Sequence, residues 1–236
     1  MLQVIFYCLL GIVGTAIGAL LGIFFGKRML GGTLALTAGI MVGLVIFDLF
    51  PLSVRLSDII IALLSTAIGV IGVLLLNAGI EKIHPLKSEN KMINTGMVLL
   101  FSMALHNFPE GMAIGSGSAE SAGTGFLVAL AIGLHDLPEG MAVAAPFVGG
   151  KLKNRKVFFL TLFSGFSTVF GALLGFFLGN LSVKMNAVAL GFASGAMLCV
   201  VFRELLPEAR KNASLFDTVL YLLSGILISI ILISTL

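Results

Sequence analysis

Seven polar breaks divide the chain into apolar runs, each about the length a helix needs to cross a bilayer. They fall at Lys27-Arg28, Pro51 to Asp58, Glu81 to Lys91, the Gly/Ser segment 115–125, Gly149 to Lys156, Asn180 to Asn186 and Pro207 to Asp217. Eight spans are therefore predicted, at roughly 2–25, 30–50, 58–80, 92–115, 121–146, 156–179, 186–206 and 214–235. Inside hydrocarbon every backbone N–H and C=O must find a partner within its own segment, so these runs are predicted as helices. With 58% hydrophobic and 11% charged residues, against about 25% charged in a soluble domain, no separate soluble domain is expected. The expectation is an all-α polytopic membrane protein with residues 1–236 as one transmembrane domain. The first run lacks a basic segment ahead of it and reads as a retained span rather than a cleaved leader.

The basic residues orient these spans. One set of alternate loops and helix ends holds Lys27, Arg28, Lys82, Lys87, Lys91, Lys151, Lys153, Arg155, Lys156, Arg203, Arg210 and Lys211; the other holds Arg55 and Lys184. By the positive-inside rule the first set is cytoplasmic, which places both termini outside, extracellular or periplasmic. The net charge of +3 comes from these loops and does not describe a nucleic-acid surface. Cys8 and Cys199 both sit in apolar runs and read as small buried hydrophobes.

Segments of the chain recur. Thr15-Ala-Ile-Gly-Ala-Leu-Leu-Gly22 returns as Thr168-Val-Phe-Gly-Ala-Leu-Leu-Gly175, and Gly39 to Pro51 returns as Gly195 to Pro207. Copies five spans apart must cross in opposite directions. The first three spans and the last three thus form an inverted repeat around spans four and five, a 3+2+3 plan associated with carriers. The third and eighth spans fit the scheme without a clear motif.

The central pair carries its own repeat, His106-Asn-Phe-Pro-Glu110-Gly111-Met-Ala and His135-Asp-Leu-Pro-Glu139-Gly140-Met-Ala. Ionisable residues inside a span are expensive and point to function. In each copy the histidine and glutamate are four apart and share a helix face. Antiparallel neighbours turning these faces together present two imidazoles and two carboxylates to one point, a set suited to zinc, iron, manganese, cobalt, nickel or cadmium. Asn107 and Asp136 lie next in each motif and are expected to face a second position beside the first, with the glutamates bridging. Pro109 and Pro138 free the carbonyls of Leu105 and Leu134, which implies a hydrated path at ligand depth. Gly111 and Gly140 allow a neighbouring helix to approach closely.

Other polar residues extend this path. Asp48 and Glu204 occupy equivalent repeat positions, each three residues before a proline. Asp48 is expected near the external mouth, and Glu204 and Glu208 near the cytoplasmic one. His84 is a candidate to catch metal on release, and Met103, one turn before His106, a candidate pathway or core residue.

These motifs make the chain resemble the ZIP (Zrt/Irt-like) divalent-metal transporters, most of all bacterial members whose fourth helix reads HNFPEG. The resemblance covers nearly the whole chain. It implies uptake of zinc, iron, manganese or cadmium into the cytoplasm across the cell membrane, the bacterial inner membrane included. It implies a metal site at His106, Asn107, Glu110, His135, Asp136 and Glu139, an elevator-like movement of one helix bundle against another, and a homodimer. No prosthetic group is expected; the bound ion is the cargo. One departure is visible. Similar bacterial members carry Ser-Gly-x-x-Glu-Pro in helix six to help hold a second metal, where this chain has Ser164-Gly165-Phe166-Ser167-Thr168-Val169. Two other readings share the ligands: an intramembrane di-metal enzyme and a metal-selective channel. The enzyme lacks a His-Glu-x-x-His or a nucleophile beside a base, and the channel is not separable from a carrier by sequence. No Gly-rich nucleotide motif is present, so ATP is not expected to drive transport.

Overall fold

The computed structural model describes residues 2–82, 88–179 and 182–235, with some helix side chains outside the description, among them those of Pro109 and His135. His84 lies outside the described residues. The described chain is helical almost throughout: α1 (Leu2–Leu44), α2 (Phe50–Leu56), α3 (Ile59–Lys82), α4 (Lys91–Glu120), α5 (Ala122–Gly149), α6 (Asn154–Gly179), α7 (Val183–Val200), α8 (Leu206–Asn212) and α9 (Leu215–Thr235). Among the described residues, seven stretches are long and apolar enough to cross a membrane, and a shorter apolar helix covers Ile59–Leu75. The protein is an all-α, multi-pass membrane protein.

Two expected breaks are bridged by helix. The Gly/Ser segment 115–125 is helical apart from Ser121, because α4 continues to Glu120 and α5 begins at Ala122. The backbone also winds helically through Lys27-Arg28, so that α1 covers both of the first two expected spans. This is not one straight rod. Gly18 packs on Leu137 and Gly140, while Thr37 donates a hydrogen bond to the carbonyl of Pro138 at 2.9 Å. Along a straight helix Gly18 and Thr37 would stand about 28 Å apart. The chain therefore reverses between them, giving a first leg (Leu2–Phe25) and a second leg starting at Leu30.

The expected ends at Pro51 and Pro207 also move outward. The second leg passes through a π turn at Val45–Leu49 into α2, and α7 passes through a π turn at Val201–Leu205 into α8. The amide of Phe50 reaches the carbonyl of Val45, and that of Leu206 reaches Val201. Pro51 and Pro207 lack an amide proton. Widening the turn ahead of each lets the helix continue past the proline, and the two copies solve the problem in the same way.

Glycine contacts show the repeat in three dimensions. Gly18 of the first leg meets the backbone of Leu137, and Gly171 of α6 meets that of Phe108, the matching residue of the other central helix. Gly39 of the second leg meets the carbonyl of Leu222 on α9, while Gly195 of α7 meets that of Thr66 on α3. Gly225 on Leu36 mirrors Gly69 on Phe192. Gly69 and Gly225 are thus the repeat mark of the third and last spans, too short a signal to detect by eye. Close approach through small residues is how helices associate where lipid supplies no hydrophobic drive. These seams gather the first leg, α4, α5 and α6 into one group, and the second leg, α3, α7 and α9 into another. The main buried cluster, with Leu34, Met41, Met103, Phe147 and Met197, lies where the groups meet. Met103 is thereby a core residue. On the outside, α3 and α9 expose Ile60, Leu64, Leu75, Leu223 and Leu227, side chains suited to acyl chains rather than water.

Gly18→Val places carbon against the Leu137 backbone, and overpacking of this kind costs about 1–3 kcal/mol. It should lower the thermal midpoint of the purified protein in detergent. At Gly79 nothing lies within 4 Å of the added carbon, so Gly79→Ala should leave the midpoint unchanged or raise it.

Candidate metal centre

The motifs of α4 and α5 converge. His106 and Glu110, one turn apart on α4, and Glu139 on α5 each offer a ligand atom, and these atoms lie within 4.8 Å of one another. All three residues are at most 3% exposed. His106 Nε2 is 2.8 Å from Glu139 Oε1 and 3.3 Å from Glu110 Oε1. The 3.6-residue period puts His106 and Glu110 on one side of α4. The pairing of α5 against that side supplies Glu139.

The short contact fixes a proton. Imidazole nitrogen and carboxylate oxygen at 2.8 Å form a hydrogen bond only with hydrogen between them, carried by one or the other. A cation that takes both atoms as ligands must displace it, either to water or to Nδ1 of the same ring. Glu139 Oε2 and Asn107 Oδ1 are buried with no hydrogen-bond partner, two further acceptors in the same region. Buried acceptors seldom stay unsatisfied, so a polar, cation-seeking centre fits the chemistry of this donor set.

Asn107 and Asp136 face different neighbours. Asn107 Nδ2 donates to the carbonyl of Ser164 on α6 at 3.2 Å. Asp136, fully buried, lies against Gly11 of the first leg, where an added Cβ would come 2.7 Å from Oδ2. Ser164 and Gly11 are themselves repeat equivalents. Each of these polar residues is thus held at the seam between its helix and the repeat helix beside it, and Asp136 stands outside the three-residue cluster.

On α6 the helix-six departure is visible in space. Thr168 is fully buried, its carbonyl lies against Gly111, and its Oγ1 has no hydrogen-bond partner. It offers a neutral oxygen where a carboxylate would carry charge.

The outer residues are distributed differently. Asp48 lies in the π turn Val45–Leu49 and Glu204 in the π turn Val201–Leu205, both partly buried. Glu204 Oε1 accepts from Ser102 Oγ at 2.9 Å, and Ser102 sits one turn before His106 on α4. This links Glu204 through α4 toward the centre. Glu208, 7% exposed, is engaged by Lys211 Nζ at 2.9 Å and by Asn212 Nδ2 at 3.1 Å. An ion reaching it would have to displace both. Sequence reading passed over Ser102, and met Ser164 only as part of the helix-six element, not as the partner of Asn107. Ser102 was within reach, being four residues before His106; Ser164 is set by a helix contact distant in sequence.

A sequence profile described as "ZIP Zinc transporter" matches residues 81–233, which includes both central helices. The chain belongs to the ZIP family. It is similar to the zinc transporter ZupT of Chlorobaculum parvum, at 32% identity over 86% of this chain and 86% of that protein. To the ZupT of Stenotrophomonas maltophilia it is 33% identical, over 90% of this chain and 88% of that protein. To the zinc transporter GufA of Myxococcus xanthus it is 34% identical over a shorter stretch, 59% of this chain and 55% of that protein. ZIP proteins are transporters, so the enzyme reading is set aside.

Zinc binding to the detergent-solubilised protein should displace that hydrogen, seen as one proton released if the pair holds imidazolium and as none if it holds neutral imidazole. Titration calorimetry in buffers of different ionisation enthalpy would count it. Glu139→Gln, which keeps the shape but not the charge, should lower the affinity about 100-fold or more.

Proposed function

We propose that this ZIP protein carries zinc, and related dications such as iron, manganese and cadmium, inward through the centre at His106, Glu110 and Glu139. The observation that supports it most is the cluster itself: three ligating side chains, fully or nearly buried, within 4.8 Å at the pairing of two helices. His135, as the repeat partner of His106, supplies the fourth donor for a tetrahedral zinc site. Asn107 and Asp136 serve the ion beside this first position. With Thr168 in place of a carboxylate, the position beside the first holds an ion more weakly than the first does. Imidazole and carboxylate without thiolate favour a grip loose enough for release.

Transport follows from the repeat. Two halves of opposite sense around one centre admit two related arrangements, one open to each side. The cation enters near Asp48, exchanges water for His106 and the glutamates, and leaves past Glu204. The distribution of basic residues orients the chain with both termini outside, so entry faces the exterior. A cytoplasm-negative potential then favours inward movement of a dication by about 4.6 kcal/mol per 100 mV. The whole chain acts as one transport unit in the cell membrane. Zinc leads the series because the curated relatives are named zinc transporters and the donor set suits it.

Reconstitution in liposomes loaded with a zinc indicator tests this. The intact protein should take up zinc, faster with the interior negative. His106→Ala and Glu139→Ala should slow uptake about 100-fold or more. If the intact protein moves none of zinc, iron, manganese or cadmium, transport through this centre is wrong.

A further inference from the structure

Thr37 is fully buried on the second leg, in the interface between the two helix groups. Its Oγ1 stands 3.0 Å from the carbonyl of Thr33 and 2.9 Å from the carbonyl of Pro138. Neither carbonyl can donate, so the hydroxyl is the donor to both and has one proton to give. The bond to Thr33 is the familiar return of a helical threonine to its own helix. The bond to Pro138 crosses from the second leg to α5. Pro138 is joined by a single peptide to Glu139, whose Oε1 holds His106 Nε2 at 2.8 Å.

The geometry assigns Thr37 as a positioning residue: its hydroxyl latches the Pro138 carbonyl, fixes where Glu139 meets His106, and holds the two helix groups in this arrangement. The assignment rests on the alternating-access reading given above. Thr33 makes the latch reversible. When the groups part, the proton passes wholly to the Thr33 carbonyl, so no buried donor is left unmet. An apolar contact of the same size would hold no orientation, and a donor without the second acceptor would resist release.

The latch is one-sided. Under the repeat the counterparts of Thr37 and Pro138 are Ala193 and Pro109. Alanine has no hydroxyl. In an inverted-repeat carrier the opposite state exchanges the conformations of the two halves. The arrangement reached then would have Ala193 where Thr37 now stands, and no bond. Thr37 therefore favours the arrangement seen here over its counterpart, and a hydroxyl at position 193 would favour the counterpart.

The test uses the full chain in lipid, with Cys8 and Cys199 replaced by serine. Spin labels sit at exposed Lys156 on α6 and Phe216 on α9, one in each helix group. Two distances report the two states, and zinc uptake is measured on the same preparations. Thr37→Val should reduce the share of this state relative to the other by more than twofold and up to about fivefold, one ordinary hydrogen bond being the ceiling because the hydroxyl keeps Thr33 in the other state. Thr37→Ser, which keeps the hydroxyl, should hold the ratio within about twofold of wild type. Ala193→Thr should reduce the ratio in the same direction as Thr37→Val, and the double variant further than either. A ratio that neither Thr37→Val nor the double variant moves, in protein that still takes up zinc, overturns the latch. Should the unsubstituted chain take up no metal, the alternating-access reading falls, and the latch with it.

Discussion

Hydrocarbon gives an ionisable side chain nothing to pair with, and His106, Glu110 and Glu139 are at most 3% exposed. His106 gives each of the two carboxylates a partner. A shared proton joins imidazole to carboxylate at 2.8 Å, and the second carboxylate stands half an ångström farther away. This mutual dependence dictates how α4 and α5 must face each other. The rest of the structure holds them in that pose: glycine seams draw the first leg onto α5 and α6 onto α4, Thr37 of the second leg reaches in to α5, and Ser102 of α4 reaches out to Glu204. In the function proposed above, the same groups become ligands when a cation displaces the proton.

The repeat explains why so few kinds of contact are needed. The seam between Gly18 and Leu137 and that between Gly171 and Phe108 are one solution used twice. Where the copies diverge, the protein gains asymmetry. Asn107 meets a carbonyl on α6, while Asp136 meets Gly11. A neutral amide can donate to a backbone carbonyl; a carboxylate cannot, and a glycine gives it room. Serine at 164 and glycine at 11 suit these different partners.

Much of this was legible in the sequence. Apolar runs with polar interruptions gave the helical membrane class, and the spacing of His106 and Glu110 gave their shared face. The motif repeat brought Glu139 to them. Other features were hidden for physical reasons. The helical reversal in α1 and the helical path through residues 115–120 follow from backbone winding, which composition does not report when glycine and serine are packed inside a membrane protein. The divergence of Asn107 and Asp136 depends on which helix lies behind each, a fact of tertiary packing. Thr37 was invisible because a threonine in an apolar run ordinarily bonds only its own helix. The π turns had a partial signal, a polar residue three places before a proline in both copies, but a proline reads first as an end.

Those two widened turns have a bearing on how the chain tolerates change. A π turn is an α-helix holding one residue too many. Losing a residue there would tighten the coil to ordinary pitch, with the adjustment spent on the spot. Elsewhere in a close-fitting span the same event would swing every later side chain by about 100° and spoil its packing. Among the described residues, Asp48 and Glu204 thus sit at two places where a wall of this protein is free to shorten without its far end turning.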